Sequence, residues 1–395
     1  MVTFLPFPGY RPVLKNGESI EDRISPPYDV IGKEYLRILH ENRNNVTHLT
    51  LDPDLDRRYR SSRKELDRMA SDGSLRQDPP SFYLYEQIFD DHGIKKTRRG
   101  FMGILKTESY EDGNVIPHEE TFSKIKEDRL NLLRDMEAHL ESIFGIFEGL
   151  SPELDRKAYD SARLIYRYMD EMGVEHRFHI IDDVNIQKRI TSELKDQKML
   201  IADGHHRYET ALNYSLENPG NEKKSYVLAT LVAADDKGLV VWPTHRLVNS
   251  SNVTIQEAEK AIKKTMRVKE VPEDQMVSGM NGWMMGLMFK DGKRFLATYE
   301  NEEKEIWKLD TYVVQEMILK KIYGYDEGRS TVDYEAEFHK VKKMMDEKKF
   351  DLAVVLNDPS LKTIWDLSMK GVRMPKKTTF FFPKIWSGFV FYRMN

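Results

Sequence analysis

The residues best suited to chemistry lie in one short motif, Asp203-Gly204-His205-His206-Arg207. The apolar run at residues 199–202 predicts a strand that ends at this motif, and Ala211 and Leu212 predict the inner face of a helix that begins near His206. The first backbone N–H groups of a helix lack internal partners and lie at the positive end of its dipole, so phosphate oxygens bind there. The motif therefore predicts a phosphate site at a helix start.

Each residue of the motif has a predicted role in such a site. Gly204 lets the backbone approach a ligand closely, and Arg207 supplies a forked, permanently charged donor to phosphate. His205 and His206 add donors that switch with pH. Asp203 either caps the helix or faces a magnesium ion that bridges phosphates. The competing interpretation is structural, with a helix cap, a turn glycine and two polar histidines. Zinc held by the two histidines alone is not expected, because adjacent helical residues point about 100° apart.

A second polar cluster follows Pro117 and enters a predicted helix. Its histidine, acid and cations could form a general acid/base pair or a phosphate clamp; the candidates are His118, Glu119, Lys126 and Arg129. A solvated, charged helix face is the alternative.

Three further places carry candidate residues. Asp29 lies in a proline-rigidified strip that could hold a catalytic carboxylate, although it could equally cap a helix that starts near Gly32. His245 and Arg246 follow a strand end, where they could face a ligand or form a turn. The lysines among the C-terminal aromatic residues, Lys376, Lys377 and Lys384, favour a strand with a buried aromatic face over a nucleic-acid strip.

Composition excludes several classes of protein. The 395 residues predict two or three substructures. No apolar run could span a bilayer and no secretory signal is visible, so we expect a cytoplasmic protein without a membrane partner. The chain contains no cysteine, which excludes disulfides, thiolate nucleophiles and Cys-ligated metals. A net charge of −4 gives no general attraction to nucleic acid.

The predicted elements indicate an α+β fold with mixed, largely antiparallel sheets and helices. Aromatic and branched residues around turn sequences predict hairpins of residues 81–89 with 99–105, 226–233 with 239–242, and 283–289 with 294–299. Helices are predicted at residues 124–140 and 154–172.

The motif resembles the Gly-x-His-Arg box of the ParB/sulfiredoxin-like superfamily, and the whole chain resembles the HHR-motif family called domain of unknown function 1015. The second resemblance extends over residues 26–31, 45–49, 117–121, 126–130, 243–247 and 374–380. The resemblance of the motif to the Gly-x-His-Arg box implies a ParB/sulfiredoxin-like nucleotide-binding core, with large additions. The implied division is a core of residues 1–105 plus 199–250, a helical insertion at 106–198 that contributes to the site, and a C-terminal α+β domain at 251–395.

Some members of the superfamily are kinases of free L-serine, so the resemblance implies a phosphotransferase that uses ATP or ADP with Mg²⁺ on a small hydroxylated metabolite. Asp29, Glu119 or Asp203 would accept the hydroxyl proton, and the sequence does not choose among them. Two alternatives stay open. One is a metal-dependent phosphoester hydrolase built on His118, His205, His206 and His245. The other is a non-catalytic, nucleotide-binding regulator. Oligomeric state does not follow from the sequence.

Overall fold

A computed structural model describes residues 1–15, 17–51, 58–119, 123–282, 284–299, 305–325 and 332–395. The chain divides into two compact units. Unit 1 consists of Met1–Pro117, Thr121–Val240 and Pro383–Asn395, and unit 2 consists of His118–Glu120 and Val241–Phe382.

Unit 1 is built around a nine-stranded sheet. The strands up to residue 233 are β1 (Phe4–Leu5), β2 (Tyr10–Pro12), β3 (Leu75–Gln77), β4 (Phe82–Asp91), β5 (Ile94–Lys106), β6 (Val115–Pro117), β7 (Ala138–His139), β8 (Ile143–Phe147), β9 (Arg163–Met169), β10 (Glu175–Ile181), β11 (Met199–Asp203) and β12 (Tyr226–Ala233). The order in the sheet is β6-β11-β8-β12-β5-β4-β10-β9, with β1 paired to β5. The short strand β2 pairs with β3, and the final strand, Tyr392–Arg393, pairs with β7.

The helices of unit 1 are α1 (Lys33–Leu39), α2 (Thr47–Thr50), α3 (Arg58–Ser71), α4 (Ser123–Met136), α5 (Pro152–Ser161), α6 (Val184–Leu194) and α7 (His205–Glu217). Tyr208 and Ala211 of α7 are buried in one apolar core with Ile201 and Leu231 of the sheet. This burial fixes α7 on the sheet, because the apolar face of an amphipathic helix is stabilised by removal from water.

Unit 2 contains a six-stranded sheet in the order β15-β17-β16-β19-β14-β18. Its strands are β13 (Val240–Trp242, where the chain enters the unit), β14 (His245–Val248), β15 (Arg267–Glu270), β16 (Met284–Phe289), β17 (Arg294–Thr298), β18 (Val332–Glu335), β19 (Leu352–Val355) and β20 (Phe380–Phe382). Its helices are α8 (Ile255–Thr265), α9 (Glu273–Gly279), α10 (Asp310–Val313), α11 (Phe338–Asp346) and α12 (Leu361–Met369), and a π-helical segment, Val314–Lys320, continues α10. Separate apolar cores contain alternate residues of the same strands, such as Val248 and Leu247 of β14.

The α+β class with largely antiparallel sheets is confirmed. The β6–β11 and β8–β12 pairs are parallel, and the other pairs of the large sheet are antiparallel. The hairpins β4–β5 and β16–β17 lie where the sequence predicts them. In the described part of the chain, no helix has the length and apolar character needed to cross a bilayer.

Three sequence predictions differ from the structure. Residues 226–233 and 239–242 do not form a hairpin, because β5 and β8 already occupy both edges of β12, and β13 pairs instead with β20. The predicted helix over 154–172 ends at Ser161, and its second half is the strand β9, whose partner is β10. Residues 106–198 are also not a separate helical part, since they supply β6, β8, β9 and β10 to the large sheet.

Candidate functional site

Two parallel strands of unit 1 place the motif at an edge of the large sheet. Strands β6 and β11 are neighbours, with Pro117 opposite Ile201. The next helices along the chain after these strands, α4 and α7, pack against each other, and Arg134 Nη2 lies 2.5 Å from Glu217 Oε1 near their carboxyl ends. Ligands of α/β sheets bind beyond the carboxyl ends of parallel strands. The start of α7 therefore lies where such a ligand would be expected.

Gly204 makes the turn from β11 into α7. Its φ of 90° and ψ of 28° lie in the left-handed region, which favours glycine. A Cβ atom here would lie 3.0 Å from both Nε and Nη2 of Arg207, so the guanidinium group rests against the glycine. Because it lacks a side chain, Gly204 can adopt the left-handed turn and also leaves room for the Arg207 guanidinium.

Asp203 does not cap α7, contrary to one of the two roles predicted for it. The cap residue is Gly204, which has no side chain to cap the helix. The Asp203 carboxylate instead accepts the N–H of Gly204 at Oδ1, at 2.8 Å. This hydrogen bond directs the second oxygen, Oδ2, toward two cations.

Those cations are Arg207 and Lys384. Lys384 Nζ lies 3.3 Å from Asp203 Oδ2, and Arg207 Nη2 lies 3.8 Å from the same oxygen. Arg207 Nη1 also donates to the carbonyl oxygen of Ser142, at 2.6 Å. Both cationic side chains are 14% exposed and the carboxylate is 28% exposed. Two positive groups and one negative group thus stand at the positive end of a helix dipole, an arrangement that attracts an anion.

Arg98 adds a third positive charge behind this group. Its guanidinium is buried, donates from Nη2 to Gln87 Oε1 and to the carbonyl oxygen of Pro383, and lies 4.9 Å from the centre of the Phe144 ring. Burial lowers the pKa of Arg98 to about 10, against an opposing effect of nearby groups that include the Asp203 carboxylate. Arg98 therefore stays charged at neutral pH.

A magnesium ion bound directly by Asp203 does not fit this arrangement. The Oδ2 atom that would bind the ion lies beside an ammonium and a guanidinium group, and these charges would repel a divalent cation. Magnesium is therefore assigned no protein ligand here.

The two histidines of the motif occupy different environments. His205 is buried and His206 is half-buried, both in the first turn of α7. Among the described residues, no group of three or more His, Asp or Glu side chains is arranged to hold a metal ion. The hydrolase alternative, which needs such a histidine cluster, gains no support.

His118 and Glu119 belong to unit 2 and bind one strip of backbone there. His118 Nε2 lies 2.8 Å from Thr379 Oγ1. Glu119 Oε1 accepts the Thr379 N–H at 3.0 Å, and Oε2 accepts the Lys377 N–H at 3.2 Å. The Glu119 carboxylate therefore fastens residues 377–379, and its role as a general base stays a prediction.

His245 and Arg246 also have structural partners within unit 2. His245 Nδ1 accepts the N–H of Leu356 at 3.1 Å, and burial lowers the pKa of His245 to about 4. Arg246 donates to the carbonyl oxygens of Thr244 and Lys377, the latter at 3.0 Å, and its guanidinium carbon lies 5.3 Å from the centre of the Tyr334 ring. Arg246 and Glu119 thus hold the same backbone strip. That these residues bind phosphate stays a prediction.

The remaining candidates are described only in part. The side chains of Asp29 and Lys126 lie outside the described residues. The Arg129 guanidinium carbon lies 3.9 Å from the centre of the ring of Tyr28, which is the residue before Asp29 in the sequence. The structure therefore brings α4 and the proline-rich strip of unit 1 together.

Lys384 is the site residue that sequence reasoning missed. The sequence predicts only that it lies beside a C-terminal strand, and the structure contains that strand as β20. The chain leaves β20 at Phe382, and Pro383 begins the segment that returns to unit 1. No local pattern could indicate this, because the lysine and Asp203 are 181 residues apart.

Comparison with protein families gives one match. The model of the family described as "Protein of unknown function (DUF1015)" matches residues 4–312. The chain belongs to this family. The matched residues include the whole motif and end before Lys384. No curated protein matches the chain significantly.

Solved structures show distant likenesses. A conserved hypothetical protein from Pyrococcus furiosus is 15% identical with a TM-score of 0.37, covering 69% of this chain and 89% of its own. A free serine kinase in complex with AMP has the same identity and TM-score, covering 68% of this chain and 83% of its own. SbnI with a C-terminal truncation, from Staphylococcus aureus, is 11% identical with a TM-score of 0.36, covering 72% and 85%. At TM-scores below 0.5, these likenesses do not decide the function.

Proposed function

We propose that unit 1 binds the phosphates of ATP or ADP at the start of α7, and that the protein transfers a phosphoryl group to the hydroxyl of a small metabolite. The observation that carries this proposal is that Arg207 and Lys384 both face Asp203 Oδ2 at the start of α7. Free L-serine is the first acceptor to test, a choice that rests on the resemblance of the His-Arg box alone.

The charges favour phosphate over a neutral ligand. Arg207 and Lys384 both face the Asp203 carboxylate, Arg98 is buried nearby, and the helix dipole adds a partial positive charge. These positive groups would attract an incoming phosphate. The ordered, partly buried cations need little rearrangement, and preorganised charges of this kind stabilise the phosphoryl group as it is transferred.

Asp203 acts in this proposal as the counter-ion that orients the two cations. Its Oδ1 accepts a backbone N–H and its Oδ2 faces two positive groups, contacts that suit a counter-ion. The Glu119 oxygens accept backbone N–H groups of unit 2. We take Asp29 as the base to test first, because the proline-rich strip around it could hold a catalytic carboxylate rigidly; its side chain lies outside the described residues. Magnesium would arrive as part of the nucleotide substrate.

Transfer of label tests this function directly. The protein is incubated with ATP labelled at the γ-phosphate, or with ADP labelled at the β-phosphate, together with Mg²⁺ and a pool of hydroxy amino acids and sugars. Label in a phosphorylated small molecule, lost in Arg207→Met, is the expected result. Nucleotide binding without transfer would support the regulator instead, and absence of both binding and transfer would overturn the proposal.

A further inference from the structure

Three buried side chains of unit 1 form a hydrogen-bonded chain away from the motif. Asp170 Oδ2 lies 3.0 Å from His176 Nε2, and His176 Nδ1 lies 2.6 Å from the hydroxyl of Tyr85. All three residues are buried. The Asp170 carboxylate is itself fixed, because Oδ1 accepts the N–H groups of Met172 and Val174, both at 2.9 Å.

The proton positions in this chain follow from its chemistry. A carboxylate only accepts, so Nε2 of His176 carries a hydrogen and donates it to Asp170. Burial lowers the pKa of His176 against the opposing effect of Asp170, so the ring is neutral and Nδ1 accepts from the Tyr85 hydroxyl.

The His176 ring, held by Tyr85 and Asp170, packs on the ring of Trp386, with ring centres 4.9 Å apart. Gln87 Nε2 donates to the carbonyl oxygen of Lys384 at 2.9 Å, and Arg98 donates to that of Pro383. Buried polar groups of the sheet therefore hold the backbone of residues 383–384 at two points, and the His176 ring supports the side chain of Trp386.

Holding this segment with buried polar groups costs free energy that an apolar contact would not. Burying a carboxylate, an imidazole and a phenol is unfavourable unless each finds its partners, and well-packed apolar residues often stabilise a core as well or better. A fully satisfied polar chain, however, allows one geometry only. Such precision matters for the segment that bears Lys384, because the lysine must meet both Asp203 and a ligand.

We infer that Tyr85, His176 and Asp170 are positioning residues that act through Trp386 to hold Lys384 at the phosphates of the nucleotide. The part of this inference that concerns phosphate rests on the proposed function. The part that concerns anchorage of residues 383–386 does not, and the two parts can be measured separately.

Tyr85→Phe removes one hydroxyl and keeps the ring. Its matched control is Tyr83→Phe on the same strand, which loses a buried hydrogen bond to Asp78 instead. Without nucleotide, amide hydrogen exchange of the peptide spanning residues 383–395 should be faster in Tyr85→Phe and unchanged in Tyr83→Phe. Calorimetric titration with ATP should give a Kd raised about threefold to tenfold in Tyr85→Phe alone.

A double-mutant cycle with Lys384→Met distinguishes an effect of Tyr85 that acts through Lys384 from a general loss of stability. If Tyr85 acts through the lysine, Tyr85→Phe leaves the Kd unchanged in the Lys384→Met background. A His176→Gln variant keeps a donor for Asp170 and an acceptor for Tyr85, so it should retain more affinity than His176→Leu.

Unchanged exchange and unchanged Kd in Tyr85→Phe, or effects that add fully to those of Lys384→Met, would overturn the inference. If the wild-type protein binds no ATP, the proposed function fails. Hydrogen exchange then decides alone whether Tyr85 anchors the segment.

Discussion

The ammonium group of Lys384 lies 3.3 Å from Oδ2 of Asp203, although 181 residues separate them. Partly exposed ion pairs contribute little to stability, so the main consequence of this pair is the position that it gives to the positive charge of Lys384. It brings the C-terminal segment to the strand-turn-helix motif and adds a second cation beside Arg207.

Replacing Lys384 with methionine removes that charge and keeps most of the side-chain volume. We expect the Kd for ATP to rise about 10-fold or more, because hydrogen bonds to charged groups contribute about 1.5–3 kcal/mol. Calorimetric titration measures this. Lys362→Met is the matched control, since Lys362 is an exposed lysine paired with an aspartate, Asp366, in unit 2. Equal affinities in the two variants would exclude Lys384 from the site.

Gly204→Ala tests the close contact between Gly204 and Arg207. Both Gly204 and Gly220 have positive φ values, but a Cβ at Gly220 meets no atom within 4 Å, whereas one at Gly204 meets the Arg207 guanidinium. Each alanine variant should lose about 1–2 kcal/mol of unfolding free energy. Only Gly204→Ala should also weaken ATP binding, as measured by titration. Equal affinities of the two alanine variants for ATP would show that Arg207 does not contact the ligand.

Glu119→Gln distinguishes a structural acceptor from a catalytic base. The carboxylate accepts N–H groups at both oxygens, whereas glutamine would turn a donor toward one of them. The unfolding free energy in urea should therefore fall by about 1–3 kcal/mol. Glu153→Gln, at an exposed site, should change it by less than about 0.5 kcal/mol. Unchanged stability with lost phosphoryl transfer would instead identify Glu119 as the base.

His245 should make stability depend on pH. Burial lowers its pKa from 6.5 to about 4 in the folded protein, so its contribution is present above pH 6.5 and is lost as pH falls toward 4. This corresponds to about 3 kcal/mol. His245→Asn keeps an acceptor for the Leu356 N–H but does not titrate. Urea unfolding between pH 7 and 4.5 should therefore show a shallower pH dependence in the variant, and identical slopes would contradict the burial of a neutral ring.

The sequence predicts those features that depend on near neighbours. The strand, glycine turn and helix around Gly204 follow from apolar periodicity and from the conformational freedom of glycine, and the structure contains all three. The same local rules give a helix for residues 163–169, but pairing with β10 makes them a strand. Propensity is a weak guide wherever a neighbouring strand is available.

Side-chain partners distant in sequence were not predictable. Nothing near Lys384 indicates that Gln87 and Arg98 hold its backbone segment, and nothing near Glu119 indicates that its oxygens bind residues 377–379. In each case the residue type indicated a charge, and only the fold determined what that charge contacts.

Titration of the protein with Mg-ATP and Mg-ADP by calorimetry, beside Arg207→Lys, tests the central claim most directly. Lysine keeps the positive charge but cannot donate to the Ser142 carbonyl and face Asp203 Oδ2 in the geometry of the guanidinium fork. The account predicts saturable binding to the wild-type protein and a Kd at least about 10-fold higher in the variant. Absence of nucleotide binding to the wild-type protein, or equal affinity in the two proteins, would contradict a phosphate site at the start of α7.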